Sequence, residues 1–136
     1  MRRELAKHLS PKQRELAEVI GLEGTVLLSE HWPGVRLQVP HQVHPRHPIA
    51  LAIGLRRAKK LCERYGGEPV TVPRGAAYLR ALRNEQIVSE YQQGASARRL
   101  AMKYGLHENY IYALVGKHLA DQSQGNLFTR DMEGYR

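Results

Sequence analysis

Three histidines near the middle of the chain, His41, His44 and His47, form the first arrangement that could do chemistry. Imidazole is a common ligand of zinc and other transition metals. The segment "PHQVHPRHP" (40–48) contains three prolines, however, so it cannot be a helix and its histidines share no face. No carboxylate-rich cluster, nucleophile–base pair or phosphate-binding glycine loop accompanies them. We therefore expect a proline-rich loop, with no metal, no cofactor and no enzymatic activity. A metal-dependent enzyme that uses these histidines is the alternative.

A strong positive charge narrows the class of partner. The 136-residue chain has a net charge of +8, and residues 54–83 alone contain eight Lys and Arg against two Glu. Such a clustered excess favours nucleic acid as the partner, although a solvated helix face would have the same composition. A single Cys62 allows no internal disulfide, and the N-terminus has no apolar signal core. No apolar run reaches the roughly 18 residues that span a membrane. The sequence therefore predicts a cytoplasmic globular protein.

An internal repeat organises the first half of the chain. A shift of 33 residues aligns "IGLEGTVLLSEHWPGVRLQVP" (20–40) with "IGLRRAKKLCERYGGEPVTVP" (53–73), and eight of the 21 aligned positions are identical. Each copy predicts a helix, a glycine stop, a short strand and a proline. Gly21 and Gly54 lie at equivalent places inside the predicted helices. This indicates a close approach of two helix backbones, with simple tolerance of glycine as the alternative.

Short-range signals mark where the helices begin and which side they bury. Ser10, Pro11 and Gln13 form a capping-box start for the first helix, and Pro48 opens the helix of the second copy. In that copy, apolar residues recur at spacings of three and four and predict one buried stripe. The stripe contains Leu51, Leu55, Ala58, Cys62 and Tyr65.

Two short strands are predicted at 37–39 and 70–72, with Gln38 and Thr71 on one polar face. Three residues cannot stand alone as a strand, so we expect the two strands to pair antiparallel, either within a chain or across a dimer. The apolar excess of the first copy favours a dimer, because it covers more of a helix than one neighbour can bury. The predicted dimerisation residues are Leu16, Val19, Ile20, Leu27, Leu28, Leu51 and Leu55.

Residues 84–118 predict three short helices with the spacing of a helix-turn-helix, a pattern that an ordinary helical hairpin can mimic. The small residue, the turn glycine and the apolar corner positions are Ala101, Gly105, Leu106, Ile111 and Leu114. Exposed positions at the start of the third helix are candidates for reading base edges: His107, Glu108, Asn109, Tyr112 and Ala113. Asn109 could pair with adenine and Tyr112 could pack on a thymine methyl, with plain solvent exposure as the alternative. Candidates for contacts with the DNA backbone are Ser96, Arg98, Arg99, Lys103, Lys117, Arg74 and Arg80.

The stretch "YGGEPVTVPRG", followed by "LRNEQIVSEYQQGASARRLAMKYGLHENYIYALV", resembles the Mor/C transcription activators of Mu-like phages and prophages over about residues 49–118. The resemblance implies a homodimer that binds promoter DNA and activates transcription with the host RNA polymerase. It also implies a ribbon near the minor groove, between helix-turn-helix units in adjacent major grooves. The ribbon residues would be Val70, Thr71, Val72 and Gly75. Thr71 stands where the family usually has a tyrosine.

Together these observations predict a mainly α protein, with an N-terminal helical dimerisation region, a short antiparallel β-ribbon and a C-terminal three-helix helix-turn-helix unit. The predicted division is 1–47 for the first repeat and linker, 48–76 for the second repeat and ribbon, 77–118 for the helix-turn-helix and 119–136 for a polar, flexible tail. The predicted function is sequence-specific regulation of transcription on double-stranded DNA by a dimeric phage or prophage activator. A repressor, or an accessory protein of DNA packaging or recombination, is the alternative.

Overall fold

The computed structural model describes residues 7–133, with side chains described for residues 7–121. The elements follow one another in this order: α1 Pro11–His31, β1 Arg36–Gln38, α2 Pro48–Ile53, α3 Leu55–Tyr65, β2 Pro69–Thr71, α4 Ala76–Gln92, α5 Ala97–Tyr104 and α6 Glu108–Glu133. They form two compact units, residues 1–83 and 84–136, and the division falls within α4. The protein is mainly helical with one small antiparallel sheet, as predicted. No helix in the described range is long and apolar enough to cross a membrane.

The predicted start of α1 is confirmed. The Ser10 hydroxyl accepts a hydrogen bond from the backbone N–H of Gln13 (3.2 Å), and the Gln13 side chain accepts one from the backbone N–H of Ser10 (2.9 Å). Pro11 occupies the first turn, where its missing N–H leaves no hydrogen bond unmade. This reciprocal cap fixes where the chain enters the first unit.

Gly21 and Gly54 do not bring helices together, so that part of the sequence prediction is wrong. Both glycines leave the helical conformation, at φ 79° and ψ 165° for Gly21 and φ 90° and ψ 148° for Gly54. A Cβ added at Gly21 would meet nothing within 4 Å, and one at Gly54 would meet only an Arg57 nitrogen at 4.0 Å. Glycine is therefore needed here for its backbone freedom, since other residues are strained at positive φ.

The break at Gly54 also changes which side chains α2 buries. Leu51, predicted to begin the buried stripe, is 72% exposed, whereas Ile49 and Ile53 are buried. The stripe is correct only beyond the break, where α3 buries residues such as Ala58 and Tyr65. A single helical period across residues 48–65 is wrong because the two helices are out of phase.

The strands pair antiparallel within the chain, with Leu37 directly opposite Val70. This confirms the predicted pairing, and each strand begins and ends one residue earlier than predicted. Val39 and Val72 follow the strands and are fully buried. Both repeat copies contribute to one core, formed by Leu16, Ile20, Leu28, Val39, Ile49, Ala50, Ile53, Ala58, Leu61, Cys62, Tyr65, Val70 and Val72.

The first half of α4 packs on the outer side of α1 within the first unit. A second apolar cluster joins them, formed by Leu9, Ala17, Leu22, Val26, Leu79 and Leu82. Two ion pairs flank it, Arg83 with Glu23 and Arg80 with Glu30, and both have N–O distances of 2.5 Å. The first pair is buried, and burial raises the pKa of Glu23 although the Arg83 guanidinium opposes that rise.

The second unit contains the rest of α4 with α5 and α6. Its core is formed by Ile87, Val88, Ala97, Leu100, Ala101, Tyr104, Ile111 and Val115, with Tyr91, Ala95, Leu106 and Leu114 partly buried against it. Ala101, Leu106, Ile111 and Leu114, the small and apolar corner positions that the sequence predicts, all belong to this core. The third helix of this unit, α6, is longer than predicted. It continues to Glu133, through most of the segment that the sequence predicts to be a flexible tail.

Candidate nucleic-acid interface

The turn between α5 and α6 is built as the sequence predicts. Ser96 caps α5 by accepting a hydrogen bond from the backbone N–H of Arg99 at 3.1 Å. Gly105 ends α5 in the left-handed conformation, at φ 70° and ψ 36°. The Leu106 N–H then donates to the Ala101 carbonyl (2.9 Å), which turns the chain into α6.

The start of α6 presents a polar surface opposite its buried side. Ile111 and Val115 face the core, whereas all five predicted base-reading residues are exposed: His107, Glu108, Asn109, Tyr112 and Ala113. Tyr112 is 52% exposed, and Tyr110, which is not among the predicted base-reading residues, is 38% exposed. Because Tyr110 directly precedes the buried Ile111 on the helix, its position could have predicted that its side chain is exposed.

The cations of α5 fall into two kinds. Arg98 and Arg99 are exposed and line an open depression together with Ser96, Met102 and Lys103. Lys103 instead forms an ion pair with Glu90 on α4. The Tyr104 hydroxyl donates to the other oxygen of the same carboxylate at 2.5 Å. Glu90 thus ties α5 to α4 and neutralises one of the predicted backbone-contact residues.

The remaining predicted backbone contacts also differ in their surroundings. The Arg80 guanidinium donates to Glu30 from Nε (3.1 Å) and Nη2 (2.5 Å), so α1 already holds it. Arg74 is exposed, and its guanidinium covers Gly34 so closely that an added Cβ would lie 2.6 Å from Nε. Lys117 is exposed on α6.

Only part of the predicted ribbon surface faces outward. Val70 and Val72 are 1% and 0% exposed, so their side chains belong to the core and cannot touch a groove. Thr71 and Gly75 are exposed. Arg36 lies directly opposite Thr71 and is also exposed, and the alternation around Leu37 could have predicted its outward direction.

The predicted dimerisation residues are mostly covered within one chain. Leu16, Ile20 and Leu28 are at most 4% exposed in the core, and Val19, Leu27 and Leu55 pack partly buried against it. The argument that their apolar excess needs a second chain is therefore wrong, because α2, α3 and the ribbon supply the missing neighbours.

Each histidine of the linker has a local role. The Nδ1 atoms of His44 and His47 accept hydrogen bonds from the backbone N–H groups of Arg46 and Ile49, both at 3.1 Å. The His47 ring thereby caps α2, and the His41 ring lies against Gly67. Across the described residues, no group of three His, Cys, Asp or Glu side chains could hold a metal ion.

These observations define the class of protein: it is small and mainly helical, with a two-stranded sheet, a capped three-helix unit and exposed cations. The chain belongs to the Mor transcription activator family, whose sequence model matches residues 42–127, more than half of the chain. The match includes the second repeat copy and begins after the first. No curated protein and no solved structure gives a significant match.

Proposed function

We propose that this protein regulates transcription by binding specific sequences of double-stranded DNA through α5 and α6. The observation that carries the proposal is the polar start of α6, placed directly after a tight glycine turn and beside exposed arginines of α5. A helix that follows such a turn can enter the major groove, which is wide enough to admit it. Membership of a transcription activator family and the net charge of +8 support the same partner.

The first turn of α5 supplies a further argument. It contains Arg98 and Arg99 and no acidic residue. Cations at a helix N-terminus are unfavourable by about 0.3–1 kcal/mol, whereas an anion there is stabilised by the free N–H groups and the helix dipole. A DNA phosphate at this end of α5 would bind both arginines and Ser96. These contacts would set the orientation of α6 without reading sequence.

Sequence would be read by side chains on the exposed side of α6. Asn109 can make two hydrogen bonds with adenine, and Glu108 can accept one from the amino group of cytosine. Tyr112 can pack on a thymine methyl group. Lys117, further along the same helix, would contact the backbone.

A binding titration tests these roles. A preferred duplex is first selected from a random pool, and binding to it and to random DNA is then measured by fluorescence anisotropy. Asn109→Ala and Tyr112→Ala should each lose about 1–3 kcal/mol on the preferred duplex and little on random DNA. Arg98→Ala should weaken both alike, and Arg46→Ala, which removes the same charge from an exposed linker position, is the matched control. A wild-type protein that binds no duplex better than random DNA would refute sequence-specific binding.

We further propose the activator role for this chain, on promoter DNA of a phage or prophage and in contact with the host RNA polymerase. A reporter placed behind the selected duplex separates this role from a repressor, because the two change expression in opposite directions. Only the family resemblance implies a homodimer, since the apolar residues expected to require it are covered within one chain.

A further inference from the structure

The two repeat copies of the first unit are related by an internal two-fold axis. Leu37 and Val70, which the 33-residue shift makes equivalent, stand directly opposite each other in the sheet. Arg36 pairs with Thr71, the equivalent of Gln38, and Gln38 pairs with Pro69, the equivalent of Arg36. Such a register is what a two-fold axis through the central pair produces.

The hydrogen bonds around the sheet obey the same symmetry. The Gly34 N–H donates to the Val72 carbonyl (3.0 Å), and the equivalent Gly67 N–H donates to the Val39 carbonyl (2.8 Å). The Val39 N–H donates to the Glu68 carbonyl (3.1 Å), and the equivalent Val72 N–H donates to the Val35 carbonyl (2.8 Å). Exchanging the two copies therefore converts each bond of a pair into the other.

The helices extend this relation beyond the sheet. Gly21 and Gly54, again equivalent, break their helices at nearly the same backbone angles. An added Cβ at Gly24 would lie 3.0 Å from Cδ of Arg57, its own equivalent, so these positions meet at the axis. Buried residues also match in pairs, since Leu28 and Leu61 are both fully buried. The core is thus an isologous contact, the kind made by two subunits of a symmetric dimer, closed within one polypeptide.

The outer faces of the two copies have diverged. Leu22 and Val26 of the first copy are covered by α4, whereas Lys59, the equivalent of Val26, is exposed. Glu23 accepts Arg83 of α4, but its equivalent in the second copy is Arg56, which would repel that arginine. A second chain could not place its own α4 on this face. The exposed large apolar side chains described in this unit, Val35, Leu51 and Tyr78, make up no second symmetric core.

The copies also differ in the segments to which they lead. Pro73 leads through Gly75 into α4 and the second unit, whereas Pro40 leads only into the linker and the second copy. One chain therefore contains the ribbon and a single candidate DNA-binding unit, formed by α5 and α6, whereas a symmetric dimer would contain two such units. We infer that a single chain, with its first repeat copy in the place of a second subunit, recognises one asymmetric DNA sequence and not an inverted repeat. This inference rests on the DNA binding proposed above.

Cysteine cross-linking tests the internal ribbon without DNA. Arg36 and Thr71 are exposed and directly opposite, and such cross-strand pairs lie about 4.5–5.5 Å apart between Cα atoms, within disulfide range. In a Cys62→Ala background, which removes the buried native thiol, Arg36→Cys with Thr71→Cys should oxidise to a monomer with an internal disulfide. The two single variants, unfolded together and refolded as a mixture, should form no cross-linked pair with each other. A cross-linked pair in that mixture would place the ribbon between chains and overturn the inference.

Mass and site selection complete the test with the unmodified protein. Sedimentation at micromolar concentration should give the mass of one chain for the free protein, and the mass of one chain plus one duplex for the complex. Duplexes selected from a random pool should share a motif without two-fold symmetry. Two chains per duplex on an inverted repeat would overturn the inference and leave the DNA-binding proposal intact. A single chain with an internal disulfide that binds no duplex would instead refute DNA binding, and the asymmetric site with it.

Discussion

Replacing Arg83 by methionine tests how the first unit holds α4. The charged atoms of Arg83 and Glu23 lie 2.5 Å apart, and the two side chains are only 5% and 7% exposed. Methionine keeps an unbranched apolar side chain but removes the charge, so the Glu23 carboxylate loses its buried partner. Losing one partner of a buried pair costs about 3–5 kcal/mol of unfolding free energy. We expect the lower end of that range, because Arg57 also acts electrostatically on Glu23.

Urea unfolding followed by tryptophan fluorescence measures this loss. Trp32 is the single tryptophan of the chain and packs partly buried against the core of the first unit. With an m-value of about 2 kcal/mol/M, a loss of about 3 kcal/mol lowers the urea midpoint by about 1.5 M. Arg80→Met is the matched control on the same helix, since the Arg80 and Glu30 side chains are 44% and 32% exposed. An exposed pair of this kind contributes less than about 1 kcal/mol.

The loss should also depend on pH. Burial raises the pKa of Glu23 from its ordinary value of 4.5, and removal of Arg83 raises that pKa further. A group whose pKa is higher in the folded state than in the unfolded state contributes to the stability of the protein. This contribution is fully present below the unfolded-state pKa and declines as pH rises through the folded-state pKa. Arg83→Met should therefore be nearly as stable as wild type at pH 4.5 and much less stable at pH 8. Adding Glu23→Gln should restore most of the loss at pH 8. Equal losses in Arg83→Met and Arg80→Met, or a loss that neither acid nor Glu23→Gln relieves, would refute the reasoning.

Gly21→Ala and Gly54→Ala should each destabilise the protein by about 1–2 kcal/mol in the same urea assay, because both positions need positive φ; a gain in stability would show that the helix is continuous there. Tyr65→Phe should reduce stability at neutral pH but little in acid. The Tyr65 hydroxyl donates to Glu15 at 2.7 Å and is the first cause that lowers the pKa of Glu15 below 4.5, so this stability is present above pH 4.5 and lost as pH falls through the folded value. A difference between Tyr65→Phe and wild type that stays constant from pH 7 to pH 3 would contradict that assignment. DNA affinity should fall about 10³–10⁵-fold between 50 and 200 mM salt if the cations of residues 54–83 contribute to six to ten phosphate contacts; a flat salt dependence would argue against a phosphate-bound complex.

Several local features could be predicted because their causes lie within a few residues. The caps at Ser10 and Ser96 each need a hydroxyl and an N–H three residues away. The turn at Gly105 needs one residue that tolerates the left-handed conformation. The inward positions of the second unit follow from the helical period alone, and the outward direction of Thr71 follows from the alternation of a strand.

Features that depend on distant contacts could not be predicted in this way. Arg83 and Glu23 are 60 residues apart, and no local pattern marks them as partners. The same holds for Arg80 with Glu30, so the sequence could not distinguish a cation already paired from one still available to phosphate. The sequence assigns Leu16 and Leu28 to a dimer because the elements that bury them, α2, α3 and the ribbon, come later in the chain.

The sequence by itself therefore determined the helical segments apart from their breaks at Gly21 and Gly54, the strands to within one residue, the caps and the existence of a repeat, because propensity, capping and periodicity act between near neighbours. Only the tertiary structure decided whether the two copies of the repeat pair with each other or with a second chain. Both copies could have paired with a second chain, since strand register and an apolar stripe specify the kind of partner and not which molecule supplies it. The linker of residues 41–47 joins the copies closely enough for them to pair with each other, and the two-fold contact closes inside one chain.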